Sequence, residues 1–441
     1  MKVSKKLKTA VALWLASMCC MWGLLAMSFS MFVKLNNEVA DMKQTAVLWS
    51  EKQKQNATGD STAVMDKSEV DVSGTKETEQ PRDMSMAGFE DESGFGDKEA
   101  INSSLAGDEL SNDEPDVENI QAPVVEETKE VSLLFAGDLL LSGAILRQYD
   151  RNDGKITGLT VESLLERMNA ADIFMLNHEF PFSDRGEPMA NKEYTFRTPL
   201  NRLHLLGDLG IDIVSLANNH ALDYGIDALM DTFTALDDAG VKYVGAGENL
   251  ERSKALQIIE KGGKKIGFLA ASRVIPVTNW NATDTKAGLF TTYDPTMLLE
   301  EIKVADAQCD FLVVYVHWGL EYHELPEKYQ VTMAKQYIDA GADAVIGSHP
   351  HVVQGVSYYK GKIIAYSLGN FIFGNTIKQG MMLELTLGAD DKVKAELIPF
   401  YSPGFQLQEM EEETKQEFFK YISKISFDAA VDENGLILPL Q

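Results

Sequence analysis

Histidine, carboxylate and carboxamide residues follow one short apolar run after another in this 441-residue chain. Residues 131–136 lead into Gly137-Asp138, and 173–176 into Asn177-His178-Glu179. Residues 211–216 lead into Ala217-Asn218-Asn219-His220, followed by Asp223 and Gly225. Residues 311–316 lead into His317-Trp318-Gly319 and Glu321, 344–346 into Gly347-Ser348-His349-Pro350-His351, and 363–367 into Gly369-Asn370. Of the seven histidines, only His204 falls clearly away from such a junction. Neutral imidazole and carboxylate together suit zinc, manganese or iron. Several such loops meeting at one sheet edge supply donors for two ions, a pair that serves phosphoryl hydrolysis by generating hydroxide and clamping the attacking and leaving oxygens. Each piece alone has a plainer explanation. Gly-Asp after a strand is ordinary turn or cap chemistry, Asn218-Asn219 tolerate left-handed backbone, and Ser-His-Pro-His makes a rigid turn. The recurrence favours a metal-type site, because turns do not require the same residue types at every strand end.

The elements that must position these residues are legible in the apolar pattern. The runs are short and β-rich, with a further one at 266–270. Amphipathic helical periodicity separates several of them, at 161–169, Gly225–Ala239 and 327–340. Strands alternating with helices predict an α/β domain with much parallel pairing. In open sheets of that kind, function collects in loops beyond the carboxyl ends of the strands. Residues 381–387 and 394–399 read as a hairpin and 410–427 as a C-terminal helix. No internal repeat is evident.

The rest of the chain has a different texture. Lys2, Lys5, Lys6 and Lys8 form a basic tail (1–8) ahead of an uncharged run at 9–33. As a helix that run spans a bilayer core of roughly 30 Å, and its basic flank predicts a cytoplasmic N-terminus. The expectation is a single-pass anchor in the cell membrane with the main domain extracellular. A cleaved signal peptide is the rival reading; the length of the run and the lack of a clear small-x-small site count against it. Residues 34–128 are expected to form an acidic, disordered linker. Residues 51–130 hold 22 acidic and 7 basic residues, so more than half of the net charge of −27 sits in this stretch. Nothing resembles a basic footprint for nucleic acid, which is excluded as a bulk-charge partner. The cysteines, Cys19, Cys20 and Cys309, offer neither a disulfide framework nor a thiolate zinc site. The domain itself is assigned to 129–441.

Six motifs in order resemble the CapA (poly-γ-glutamate capsule biosynthesis) family. They are Gly-Asp-Leu-Leu-Leu (137–141), Asn-His-Glu-Phe-Pro (177–181), Ala-Asn-Asn-His-Ala-Leu-Asp-Tyr-Gly (217–225), His-Trp-Gly-Leu-Glu-Tyr (317–322), Gly-Ser-His-Pro-His-Val-Val (347–353) and Tyr-Ser-Leu-Gly-Asn-Phe (366–371). The resemblance covers about 131–400. It implies a calcineurin-type metallophosphoesterase fold, a four-layer α/β/β/α sandwich, with one or two divalent ions (manganese, zinc or iron). By that analogy Asp138 and His351 bind a first metal, Glu179 bridges, and Asn219, His317 and His349 bind a second. His220 is then the general acid or an orienter of the bound oxyanion, with Asp223 orienting the His220 loop. Glu321 is expected to support His317 as an outer acceptor, with a surface role as the alternative. His178, His323, Arg273, Asn370, Trp280 and Trp318 are further residues near the motifs, each with an ordinary packing or surface role as the alternative. The sequence departs from the phosphoesterase pattern at two points. Leu140 stands where the histidine of Asp-x-His is expected, and the bridging carboxylate is Glu rather than Asp. Both departures point to a weaker first metal or a single-ion site.

Two functions follow from the resemblance. One is a metal-dependent hydrolase acting on a phosphoester or a related bond in an anionic envelope polymer. The other is a non-catalytic accessory protein that binds polymer and works beside membrane-bound synthase and export components. A wholly structural α/β module is the third reading.

Overall fold

The computed structural model describes residues 129–390 and 392–440. The expected basic tail, membrane anchor (9–33) and acidic linker (34–128) lie outside the described residues. Among the described residues no helix is long and apolar enough to cross a membrane.

Two sheets organise the domain. The seven-stranded sheet runs in the order Gln408–Glu409, Val393–Ser402, Ile377–Leu387, Val131–Leu139, Ile173–His178, Ile213–Ser215, Lys242–Val244. Its last four strands are parallel and the others antiparallel. The six-stranded sheet runs Val356–Tyr359, Lys362–Ala365, Ala344–Ser348, Phe311–His317, Lys264–Ser272, Gln257–Lys261. Its four central strands are parallel and its two edge strands antiparallel.

The near-continuous apolar texture of the central strands reflects burial on both faces. Phe135, Met175 and Ile213 from the first sheet share one core with Phe268, Val313, Tyr315 and Ile346 from the second. Tyr315 Oη also donates to Ala136 O at 2.8 Å, joining the sheets by a buried hydrogen bond. The alternate residues face outward. Leu134, Phe174, Leu176 and Val214 pack with Ile145, Leu164, Leu229 and Phe233 of the covering helices. Leu312, Val314 and Val316 pack with Leu298, Ile302, Met333 and Tyr337 on the opposite side. The layers are therefore helix, sheet, sheet, helix.

Local chemistry sets the helix ends. Gly225–Ala239 stops at Gly240, whose φ of 72° supplies the left-handed cap. Lys328–Ala340 begins with the Gln330 side chain accepting from Glu327 N–H at 2.7 Å. Each predicted apolar run is observed as a strand, with ends shifted by a few residues. The predicted C-terminal helix is observed as Glu412–Ile425. Several elements were not anticipated, among them the helices Gly143–Arg151 and Thr296–Asp306, the edge strands Lys242–Val244 and Val356–Tyr359, and the edge strand Gln257–Lys261. That strand turns into Lys264–Ser272 through Gly262-Gly263, both at positive φ, a hairpin signal present in the sequence.

Candidate metal centre

The carboxyl ends of the parallel strands from both sheets open onto one cluster. Asp138 enters it from the end of Val131–Leu139, where Asp138 N–H donates to Gly369 O and Phe371 N–H donates to Asp138 O, each at 2.9 Å. The approach of the two segments leaves no room for a side chain at Gly137: a Cβ there would lie 1.8 Å from Gly369 O. At Gly347 a Cβ would lie 2.0 Å from Tyr366 O, so the segment bearing His349 is seated by a second glycine. His349 (φ 99°) and His351 (φ 58°) flank Pro350 in left-handed backbone conformations. Non-glycine residues adopt that geometry at a cost, and such strain concentrates at functional sites.

Asp138 is fully buried. Its Oδ1 accepts from Asn177 Nδ2 at 2.7 Å, while Oδ2 accepts from His349 N–H at 3.2 Å and lies 3.5 Å from His351 Nδ1. His317, at the end of its strand, has Nε2 at 2.8 Å from Asn219 Oδ1 and Nδ1 at 3.0 Å from Ser348 Oγ. Glu179 is fully buried, neither of its oxygens has a hydrogen-bond partner, and Oε1 lies 3.7 Å from His317 Nε2. His349, 4% exposed, has an unpartnered Nδ1. His351 Nδ1 is 2.8 Å from Asn370 Oδ1. Asn218 ties together the ends of two neighbouring strands of the first sheet by donating to Asn177 Oδ1 and His178 O.

The electrostatics follow from this burial. Desolvation, aided by the Asp138 charge, raises the Glu179 carboxyl well above its ordinary pKa, against the pull of His351 and Lys192. Burial, with His349 and His351 beside it, drives His317 well below the usual imidazole range. His349 is lowered to about 3, first by burial and then by His351. Burial also pulls His351 down, but Glu179 and Asp138 outweigh it and raise His351 to about 10.

Glu179, His317 and His349 offer ligand atoms within 4.8 Å of one another; so do Asp138, Glu179 and His351, and Glu321, His349 and His351. A buried carboxylate with two unpartnered oxygens beside an unpartnered imidazole nitrogen is costly unless a cation completes it. The donor set, carboxylate and imidazole without thiolate, fits a divalent ion of the zinc, manganese or iron type.

His220 lies against the cluster, its Nδ1 2.7 Å from Asp223 Oδ2. Asp223, fully buried, also accepts from Phe196 N–H at 2.7 Å. Lys192 joins this pair, with Nζ 3.0 Å from His220 Nδ1 and further bonds to Asp223 Oδ1 and Asn219 O. Burial lowers its pKa while Asp223 opposes the shift. Sequence reasoning missed Lys192, and no local signal marks it, because the irregular segment 183–197 brings it back to the site from a distance.

Asp138, Glu179, Asn219, His220, Asp223, His317, His349 and His351 thus converge, and Asn370 lines the same place. Glu321 apart, the other residues near the motifs do not belong to it. His178 lies between Phe180 and Phe182, with ring centroids 3.9 and 5.1 Å away, because strand alternation turns it to the opposite face from Asn177. His323 sits on the surface, 3.8 Å from Glu327 Oε1. Arg273 donates to Thr292 O and Tyr293 O. Trp318 is packed against Tyr337 and donates to Tyr366 O. Trp280 is buried with its ring centroid 5.2 Å from Lys192 Nζ. Glu321, expected beside His317, groups instead with His349 and His351. A cavity of about 480 Å³, lined in part by Tyr322, His351, Asn370, Asn375, Lys378 and Tyr421, opens next to the cluster.

A family model described as bacterial capsule synthesis protein PGA_cap matches residues 132–375. The capsule biosynthesis protein CapA of Bacillus anthracis is 31% identical over 260 residues, 57% of this chain and 62% of that one. The PGA biosynthesis protein CapA of Bacillus subtilis is 31% identical over 245 residues, 55% of this chain and 63% of that one. A probable polyglutamine synthesis accessory protein of Mycobacterium tuberculosis is 28% identical over 212 residues, 46% and 56% of the two chains. The match thus spans less than two thirds of the length of these relatives. Among solved structures, a Thermus thermophilus sulfate thiohydrolase SoxB aligns at 14% identity with a TM-score of 0.35, over 64% of this chain and 56% of that one. A 5'-nucleotidase from Candida albicans aligns at 10% identity with a TM-score of 0.33, over 61% and 52%. Likeness at that level carries no functional argument.

Proposed function

Because the chain belongs to the bacterial capsule synthesis protein PGA_cap family, we propose that it is an envelope protein of capsule or poly-glutamate biosynthesis whose domain is a metal-dependent phosphoester hydrolase. The observation that carries this reading is the Glu179 carboxylate, fully buried with no hydrogen-bond partner, amid Asp138, His317, His349 and His351. Asp138 and His351 would hold one ion, Asn219, His317 and His349 another, with Glu179 between them. A bound divalent ion would supply Lewis-acid charge for phosphoryl transfer. His220, its Nδ1 held by Asp223 and its pKa lowered by burial, presents Nε2 to orient the bound oxyanion, and would serve as general acid to the leaving oxygen once it has taken up a proton there. Lys192 fixes the His220–Asp223 pair. The adjoining cavity accommodates the non-reacting part of the substrate. An N-terminal anchor at 9–33 with an extracellular domain, beside membrane-bound synthase and export components, completes the proposal.

Elemental analysis of the purified full-length protein, beside a His349→Ala/His351→Ala variant, tests this reading, followed by an aryl phosphoester assay on the same samples. Stoichiometric metal lost in the variant, and turnover abolished by chelation, are expected. Near-zero metal in the native protein, or full turnover after chelation, would refute it.

An accessory, polymer-binding role is the second reading. Two observations favour it: the Mycobacterium tuberculosis relative is a probable polyglutamine synthesis accessory protein, and the apolar Leu140 stands at a position where hydrolases of the expected type place a ligand. Metal binding without turnover, together with co-purification of a membrane synthase, would select it.

A further inference from the structure

Glu321 has no role in the proposal above, yet its carboxylate offers an oxygen within 4.8 Å of ligand nitrogens of both His349 and His351. The loop that carries it is tied to theirs. Tyr322 N–H donates to Pro350 O at 2.7 Å, so the residue after Glu321 is bonded to the residue between the two histidines. Tyr322 takes a φ of 63°, as His349 and His351 take 99° and 58°. Three strained residues therefore meet in two loops that face each other. Two further observations bear on the donor set. His349 Nδ1 is buried and unpartnered. Leu140, at the position where a histidine ligand is expected, is 2% exposed and packed in the apolar core, where it can donate nothing.

We propose that Glu321 is a metal ligand of the centre, joining His349 and His351 from the loop after Phe311–His317 and adding a donor to a centre to which Leu140 contributes none. The inference rests on the metal-centre reading of the same cluster. Charge supports it. Two divalent ions bring four positive charges against the two carboxylates Asp138 and Glu179, and a third carboxylate moves the centre toward balance. Glu321 is exposed, whereas Asp138, Glu179, His317 and His349 are buried. It is thus the ligand that an incoming substrate oxygen displaces at least structural cost.

The test is titration of the full-length protein with Mn²⁺, and separately with Zn²⁺, followed by calorimetry and, for Mn²⁺, by electron paramagnetic resonance. Wild type is compared with Glu321→Gln and with Glu324→Gln, which removes an exposed charge from the same loop. Glu321→Gln is expected to weaken one ion by about tenfold or more and to change the Mn²⁺ spectrum, with Glu324→Gln unchanged. Equal weakening in both variants would reduce Glu321 to a through-space charge and overturn its assignment as a ligand. Unaltered binding in Glu321→Gln, with wild type loaded, would overturn this inference and leave the metal centre standing. A wild type that takes up neither ion would overturn both.

Discussion

His317 Nε2 lies 2.8 Å from Asn219 Oδ1, so the last residue of a strand in one sheet touches the loop beyond a strand in the other. The contact closes the seam between the sheets at the point where Asp138 and Glu179 gather. It also holds an imidazole beside a carboxamide, the pair that the proposed second ion would use.

Replacing Asn219 by Ala removes that partner without opening the core. The expected outcome is a loss of divalent-ion affinity of about tenfold or more, measured by calorimetry. Stability is expected to fall by about 1–3 kcal/mol, because the buried His317 nitrogen is left unsatisfied. Undiminished affinity in a folded Asn219→Ala protein would remove this residue from the site.

Ion uptake is expected to release protons. His351, raised to about 10 by Glu179 and Asp138, carries a proton at pH 7 in the ion-free protein. Ligation requires its neutral form, so apparent affinity rises with pH over the range below about 10. Calorimetry at pH 7 in two buffers of different ionisation enthalpy measures the proton count. A count of zero would contradict the assignment of His351 as a ligand.

His178 gives the domain acid sensitivity. Burial holds its imidazole at about 3, whereas the unfolded chain binds a proton near 6.5. Below pH 6.5 the unfolded state holds the extra proton, so stability falls as pH drops from 6.5 toward 3. At pH 5 this one residue costs about 2 kcal/mol. In His178→Leu the pH dependence of the melting temperature should flatten by that share. A slope equal to that of wild type would mean the ring finds a partner.

Gly137→Ala should be severe although it adds one methyl group. A Cβ would lie 1.8 Å from Gly369 O, so the Asp138 and Asn370 segments must separate. A destabilisation of about 3 kcal/mol or more, with loss of ion binding, is expected in denaturant titration and calorimetry. Wild-type behaviour of this variant would show that the segments can part freely.

The order of strands and helices was readable because apolar runs and 3.6-residue periodicity report burial directly, and the placement of polar residues after each run followed from it. Gly262-Gly263 also carried a hairpin signal. Lys192 was not readable, since an irregular segment has no periodicity from which to infer its return. His178 and Glu179 look equivalent as neighbours in a motif. Only the pleat of a real strand sends one among phenylalanines and the other into the cluster.

By itself the sequence determined the residue types that meet, the α/β alternation that carries them and the family to which the motifs belong, because these depend on local pattern and chain order. The tertiary structure alone decided further placements: Lys192 against His220, Glu321 beside His349 and His351 and not His317, Leu140 turned into the core. Those placements depend on how the segments beyond the strands fold back over the strand ends, which no local pattern encodes.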